Sequence, residues 1–203
     1  MKRAVLLAVA VVLTVTYLAL AGLGDDHAPH NMTANDAPEP FVALASTEYS
    51  GSFSAYKAFD GLLGTQQYWV SSANTGWLQI DLGSGNEVII GTYALQANSI
   101  PEPTRMPKDW TLLGSNNGTD FDTLDTVSGE TAWGDEEKRT YTCDVVTTAY
   151  RYFRLNVTLN NGHAYVQMGE LFLYEGVPGG FIAYPRPRGL DGGLGGGMTG
   201  GLN

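Results

Sequence analysis

The stretch KAFDGLLGTQQYW, Lys57 to Trp69, carries an Asp-Gly pair, a threonine five residues after the aspartate and two aromatics. It has neither the two-residue alternation of a strand nor a helical repeat. A loop this poor in apolar side chains needs something besides a core to hold it. A hard cation would do so, because it gathers about six to eight oxygens at about 2.3 to 2.6 Å from carboxylates, hydroxyls and backbone carbonyls. Asp60 offers a carboxylate, Gly61 lets the chain turn so that the Leu62 carbonyl faces inward, Thr65 brings a hydroxyl and a carbonyl, and the Lys57 carbonyl closes the near side. The same residues admit a second arrangement, in which Asp60 caps a turn through backbone N–H groups.

The elements that must position this loop are short strands. From about residue 40 to 177 the runs GWLQIDLG, VIIGTYALQA, DWTLLGS, RTYTCDVV, AYRYFRLNVTLN and YVQMGELFLYE are rich in β-branched and aromatic residues and are bounded by Gly, Asn, Asp or Pro. Phe153, Leu155, Val157 and Leu159 fall on one face of their run, and Arg154, Asn156 and Thr158 on the other, which predicts a half-buried antiparallel strand. Asn-Gly pairs in SNNGTDF and LNNGHAY supply the positive φ angles of tight turns. No stretch between 40 and 177 keeps a 3.6-residue apolar period over ten residues. The fold class is therefore all-β, a sandwich.

The ends differ from this middle. Residues 1–24 hold Lys2 and Arg3, about twenty mostly apolar residues and a small-x-small site at Ala19 to Ala21, the pattern of a signal peptide. The run is also long enough for a membrane anchor, or to serve as a hydrophobic arm in an assembly. Residues 25–37 read as a polar leader, 38–177 as the sandwich, and 178–203 as a Gly/Pro-rich tail that offers too few large apolar side chains to order itself.

The formal net charge is −10, and residues 22–177 hold 7 Lys+Arg against 20 Asp+Glu. Such a surface repels phosphate backbones, which excludes nucleic acid as a partner. A lipid bilayer is expected to be met only through the N-terminal run. Cys143 is the single cysteine, so no intrachain disulfide forms, and it reads as a small core hydrophobe.

In their order along the chain, AFDG with its following YW, then TGWLQIDLGSG, RMPKDWTLLGSNNGTDFDTLDT, YRYFRLNV and GELFLYE resemble the discoidin, or coagulation factor V/VIII type C, domain, a galactose-binding-domain-like jelly roll. The resemblance covers about residues 30 to 177. It implies binding of glycans, lipid head groups or proteins through loops at one end of the barrel. It also implies calcium in the Asp-Gly loop, with a last ligand from a glutamate of the final strand, the place Glu170 takes here. A carboxylate among Val166, Met168 and Phe172 needs a cation or donors to offset its desolvation. In the alternative arrangement Glu170 pairs with an arginine such as Arg154.

A sugar site needs an aromatic face against the C–H side of the ring and polar groups for the hydroxyls. Tyr49, Tyr68, Asn98, Arg105 and Trp133 are the loop residues that could supply them. Trp77 and Trp110 lie inside strand-like runs and are expected in the core, with Trp69 and Trp133 as core lids. His27 and His30 fall in the leader, and His163 on a turn reads as solvated. With no nucleophile elbow, HExxH, phosphate loop or Cys-His arrangement, the expectation is a non-enzyme. Two functions follow. One is a secreted or cell-surface carbohydrate-binding and adhesion module whose partner is a glycan on a cell surface. The other is a subunit of a virion, such as a phage decoration or tail protein, or of a surface filament, whose partners are identical or different subunits. Asn31, Asn117 and Asn156 stand in Asn-x-Thr sequons.

Overall fold

The computed structural model describes residues 24–99 and 102–176. Five antiparallel strands form one sheet in the order β1 (Val42–Ala45), β3 (Gly76–Asp81), β8 (Tyr152–Asn160), β5 (Pro107–Ser115) and β6 (Asp122–Val127). Three form the second, β10 (Glu170–Glu175), β4 (Ile90–Gln96) and β7 (Lys138–Thr142), and β2 (Trp69–Val70) pairs with β9 (Gln167–Met168). The result is the expected all-β sandwich. The N-terminal apolar run and the Gly/Pro-rich tail lie outside the described residues.

Period-two patterning places the core. Leu78 and Ile80 of β3, Phe153, Leu155 and Val157 of β8, Leu112 of β5, Leu95 of β4 and Leu171 and Leu173 of β10 are all buried in one cluster. Cys143 is buried there too, and burial pushes its thiol up. Leu159 departs from the alternation and is 39% exposed. The cause is a shift in the β5–β8 ladder, where Asp109 pairs Leu159 but Trp110 pairs Val157. One extra residue turns every later side chain over.

Trp77 also departs from expectation. It lies on the outer face of the five-stranded sheet, half-buried under the Arg154 guanidinium at 4.2 Å, while Phe121 covers the other side of that group at 4.0 Å. Arg154 donates to Gln79 Oε1 and not to Glu170. Strand position alone leaves the face of a tryptophan open; the neighbouring Leu78 takes the inward place.

The segment 25–37, read from sequence as a leader apart from the sandwich, is part of it. Ala28 and Met32 are buried in the core cluster. His27 N donates to Leu173 O at 2.8 Å, Glu175 N to Asp25 O at 2.9 Å, and Met32 N to Phe59 O at 3.1 Å. The segment is therefore a strap across β10. It begins beside Glu175, so the chain enters and leaves the sandwich at one pole. Glu170, at the other end of β10, lies about 17 Å away at about 3.4 Å per residue.

Inside the core, Trp110 Nε1 donates to Tyr93 Oη at 2.9 Å, and that hydroxyl donates to Asp125 Oδ2 at 2.7 Å. Tyr93→Phe removes the middle of this chain and leaves buried polar atoms without that partner. We expect a loss of about 1 to 3 kcal/mol, seen as a lower denaturant midpoint with unchanged slope in an equilibrium unfolding curve.

Candidate functional site

At the pole opposite the chain exits, loop residues 46–54, 62–68, 97–99, 102–106, 131–136 and 161–166 converge. Aromatic rings bind them together. Tyr49 packs edge-on against Tyr165 at 4.9 Å and reaches Phe53 at 6.1 Å, Phe53 meets Tyr68 at 5.1 Å, and Tyr165 lies 5.4 Å from His163. Polar groups close the arc. Arg105 points Nε at His163 Nε2 at 3.5 Å, donates through Nη1 to Gln167 Oε1 at 3.4 Å, and stands 3.5 Å from the Glu102 carboxylate. Beside them is a cleft lined by Asn98, Glu102, Met106, Trp133, Asp135 and Gln167.

The five residues singled out from sequence thus fall in one cluster, with different parts in it. Tyr49 is 52% exposed and Arg105 is partly open, so both can meet a ligand. Tyr68 is a buried wall whose hydroxyl is pushed up by burial, with Arg105 pulling it back. Asn98 is buried in the cleft wall. Trp133 is buried as well; its Nε1 donates to Pro107 O at 3.0 Å and the Arg139 guanidinium covers its ring at 4.3 Å. It walls the cleft and offers no open face of the kind Tyr49 does.

Sequence reading missed Phe53, Glu102, His163, Tyr165 and Gln167. Gln167 was the one with a signal, a polar residue inside the apolar run YVQMGELF. His163 had been read as a solvated turn residue, since nothing local shows that Arg105, 58 residues earlier, arrives beside it. The backbone carries a further mark. Among the described residues the non-glycine positions with positive φ are Gln66, Ala132 and Glu136, all in these loops. Left-handed backbone at such residues costs about 1 kcal/mol or more and persists where the surroundings impose it.

Below the loops lies the Asp-Gly turn. Asp60 Oδ1 accepts the Leu62 N–H at 2.9 Å, and Oδ2 lies 3.7 Å from Lys57 Nζ. Glu170, 2% exposed, accepts the Gly61 N–H on Oε1 at 2.9 Å and faces His30 Nδ1 with Oε2 at 2.9 Å. The other ring nitrogen of His30 lies 2.9 Å from Asp26 Oδ2. Burial pushes both Asp60 and Glu170 upward, Glu170 to about 7, with His30 working against it. For His30, burial disfavours the charge, but the hydrogen bonds to Asp26 and Glu170 outweigh it and raise the imidazole to about 9.

Calcium was expected here on oxygen ligands, yet what meets the two carboxylates is nitrogen. Each of the four carboxylate oxygens has a protein N–H or ammonium group nearby, the two carboxyls also hydrogen-bond each other, Thr65 and Leu62 are exposed, and no group of three or more acidic, His or Cys side chains able to hold a metal occurs among the described residues. In this arrangement the residues do not form a cage for the ion. Of the two arrangements drawn from sequence, the turn cap describes Asp60, while Glu170 meets a histidine in place of an arginine.

Comparison with known proteins agrees with the sandwich. A family model described as F5/8 type C domain matches residues 43–171, more than half of the chain. The chain belongs to that family. No curated protein sequence matches it. Among solved structures, CpGH89CBM32-5 from Clostridium perfringens, in complex with GalNAc-β-1,3-galactose, is 17% identical with a TM-score of 0.55, covering 66% of this chain and 94% of that one. The family 32 carbohydrate-binding module from Streptococcus pneumoniae EndoD is 16% identical with a TM-score of 0.57, covering 75% and 100%. Chitosan-binding module 1 from a chitosanase/glucanase of Paenibacillus sp. IK-5 is 22% identical with a TM-score of 0.54, covering 74% and 98%. At these identities the likeness is one of fold.

The two aromatic candidates for the ligand face should separate on stability. Trp133→Ala is expected to cost about 3 to 5 kcal/mol, whereas Tyr49→Ala should cost under about 1 kcal/mol. Denaturant titrations of the two variants check this difference.

Proposed function

We propose that this F5/8 type C sandwich is a non-catalytic carbohydrate-binding module that takes a glycan at the looped pole and acts outside the cell. The observation that carries the reading is Arg105. Its guanidinium is braced by Glu102, His163 and Gln167 beside the exposed Tyr49 and its partner Tyr165. A pyranose needs this pairing. An aromatic edge or face receives the apolar side of the ring, while fixed donors and acceptors read the hydroxyls. The bracing matters because Arg105 then loses little side-chain freedom when a sugar binds.

Fold relatives support the same choice. The C. perfringens module was solved with GalNAc-β-1,3-galactose and the Paenibacillus module binds chitosan. An acidic surface argues for a neutral or amino sugar over an acidic one. The polarity of the chain suits display. Residues 24 and 176 lie side by side at the far pole, so a sandwich fastened through either terminal segment turns its loops outward. Adhesion or particle assembly would follow from many copies so displayed, since one weak site gains avidity only by multiplication.

A glycan array probed with the multivalent full-length chain, followed by calorimetry on the best hit, tests the reading. We expect binding to galactose-type or amino sugars, weakened about tenfold or more in Arg105→Ala by loss of a charged hydrogen bond, with the melting curve close to that of the parent. An array silent for the folded, multivalent protein would count against a glycan ligand altogether.

A further inference from the structure

We propose that His30 takes the place of a bound cation beneath the ligand loops, so that the chain's own N-terminal strap, and not a metal ion, neutralises the Asp60–Glu170 carboxylate pair and locks the Asp-Gly turn. Four observations meet at this residue. Each ring nitrogen lies 2.9 Å from a different carboxylate oxygen, of Asp26 and of Glu170. Each ring nitrogen thus has a carboxyl partner of its own, one on the strap and one on β10, and the ring bridges the two. The ring lies on Phe172, centroid to centroid 4.3 Å, which fixes its plane. Finally, a β-carbon added at Gly61 would fall 2.5 Å from the His30 carbonyl oxygen, so the strap backbone rests directly on the turn.

Three carboxylates and two cationic side chains meet around the ring. Asp26 comes from the strap, Glu170 from β10 and Asp60 from the turn; against them stand His30 itself and Lys57, whose Nζ also donates to Gln67 Oε1 at 2.7 Å. Lys138 of β7 covers the same Phe172 ring, 3.2 Å from its centroid, and donates to Tyr174 Oη at 2.6 Å. Asp26 holds the strap in register, accepting the N–H groups of Ala28 and Leu173 on Oδ1 at 3.0 Å each. The turn it locks leads through Gln67 to Tyr68, a wall of the ligand loops. Residues 26–32 are thus a foundation of the binding pole, although they reach it from outside the matched 43–171.

The test is thermal unfolding of the full-length chain. Wild type should melt at the same temperature in excess chelator and in millimolar calcium. His30→Ala should melt about 5 to 15 °C lower, because it strands a buried carboxylate. Adding Glu170→Gln to His30→Ala should recover more than about half of that loss, as coupled neighbours do and independent sites do not. A wild-type melt that falls in chelator or rises with calcium overturns the proposal, and that arm needs no variant to fold. So does a His30→Ala chain that melts like the parent, or a double variant no better than the single one. None of these readouts involves a sugar, so they stand or fall apart from the ligand assignment.

Discussion

A buried glutamate is the constraint around which the described chain is arranged. Glu170 opens the last strand with its carboxylate out of water, next to the carboxylate of Asp60. Desolvating such a pair costs several kcal/mol per ion unless donors and a counter-charge are supplied. The donors are the Gly61 and Leu62 N–H groups, which only a tight Asp-Gly turn aims correctly, and the counter-charge is His30. The turn, the strap and the start of β10 therefore form one cooperative unit. Above it the loops bury Tyr68, Asn98 and Trp133 and leave Tyr49 and Arg105 at least partly open.

This division of labour explains the unequal roles of the aromatic residues. Trp69, Trp110 and Trp133 are spent on packing, while Trp77 supports an arginine on the outer sheet face. The rings left near the surface at the looped pole, Tyr49 and Tyr165, sit on turns and are held by each other and by Phe53. Positive φ at Gln66, Ala132 and Glu136 shows backbone strain gathered at the same pole. The two sheets supply the stability that tolerates it.

Membership of the F5/8 type C family fixes a scaffold and leaves chemistry to the loops. Relatives with about one residue in six identical keep the sandwich because it depends on which positions are apolar, a property many residues satisfy. The Arg105 cluster is different. It depends on particular polar atoms, those of Glu102 and Arg105 in one loop, His163 in another and Gln167 in β9.

What the sequence determined by itself was whatever depends on local periodicity and turn chemistry. Alternation in RYFRLNV placed Phe153, Leu155 and Val157 inward, Asn-Gly marked the turns, and an ordered series of motifs sufficed for the family. Asp60 could be read as a polar anchor because a carboxylate before glycine has few other local uses. Tertiary structure decided the partners. Nothing near His30 in the chain indicates Glu170, 140 residues on, or that Gly61 leaves room for the strap backbone. Leu159 turned outward because of a one-residue slip against β5, and Arg154 chose Gln79 because that residue faces it across the ladder. Long-range charge pairing and register carry no signature at short sequence separation, since any acidic residue can meet any cation once the fold has brought them together.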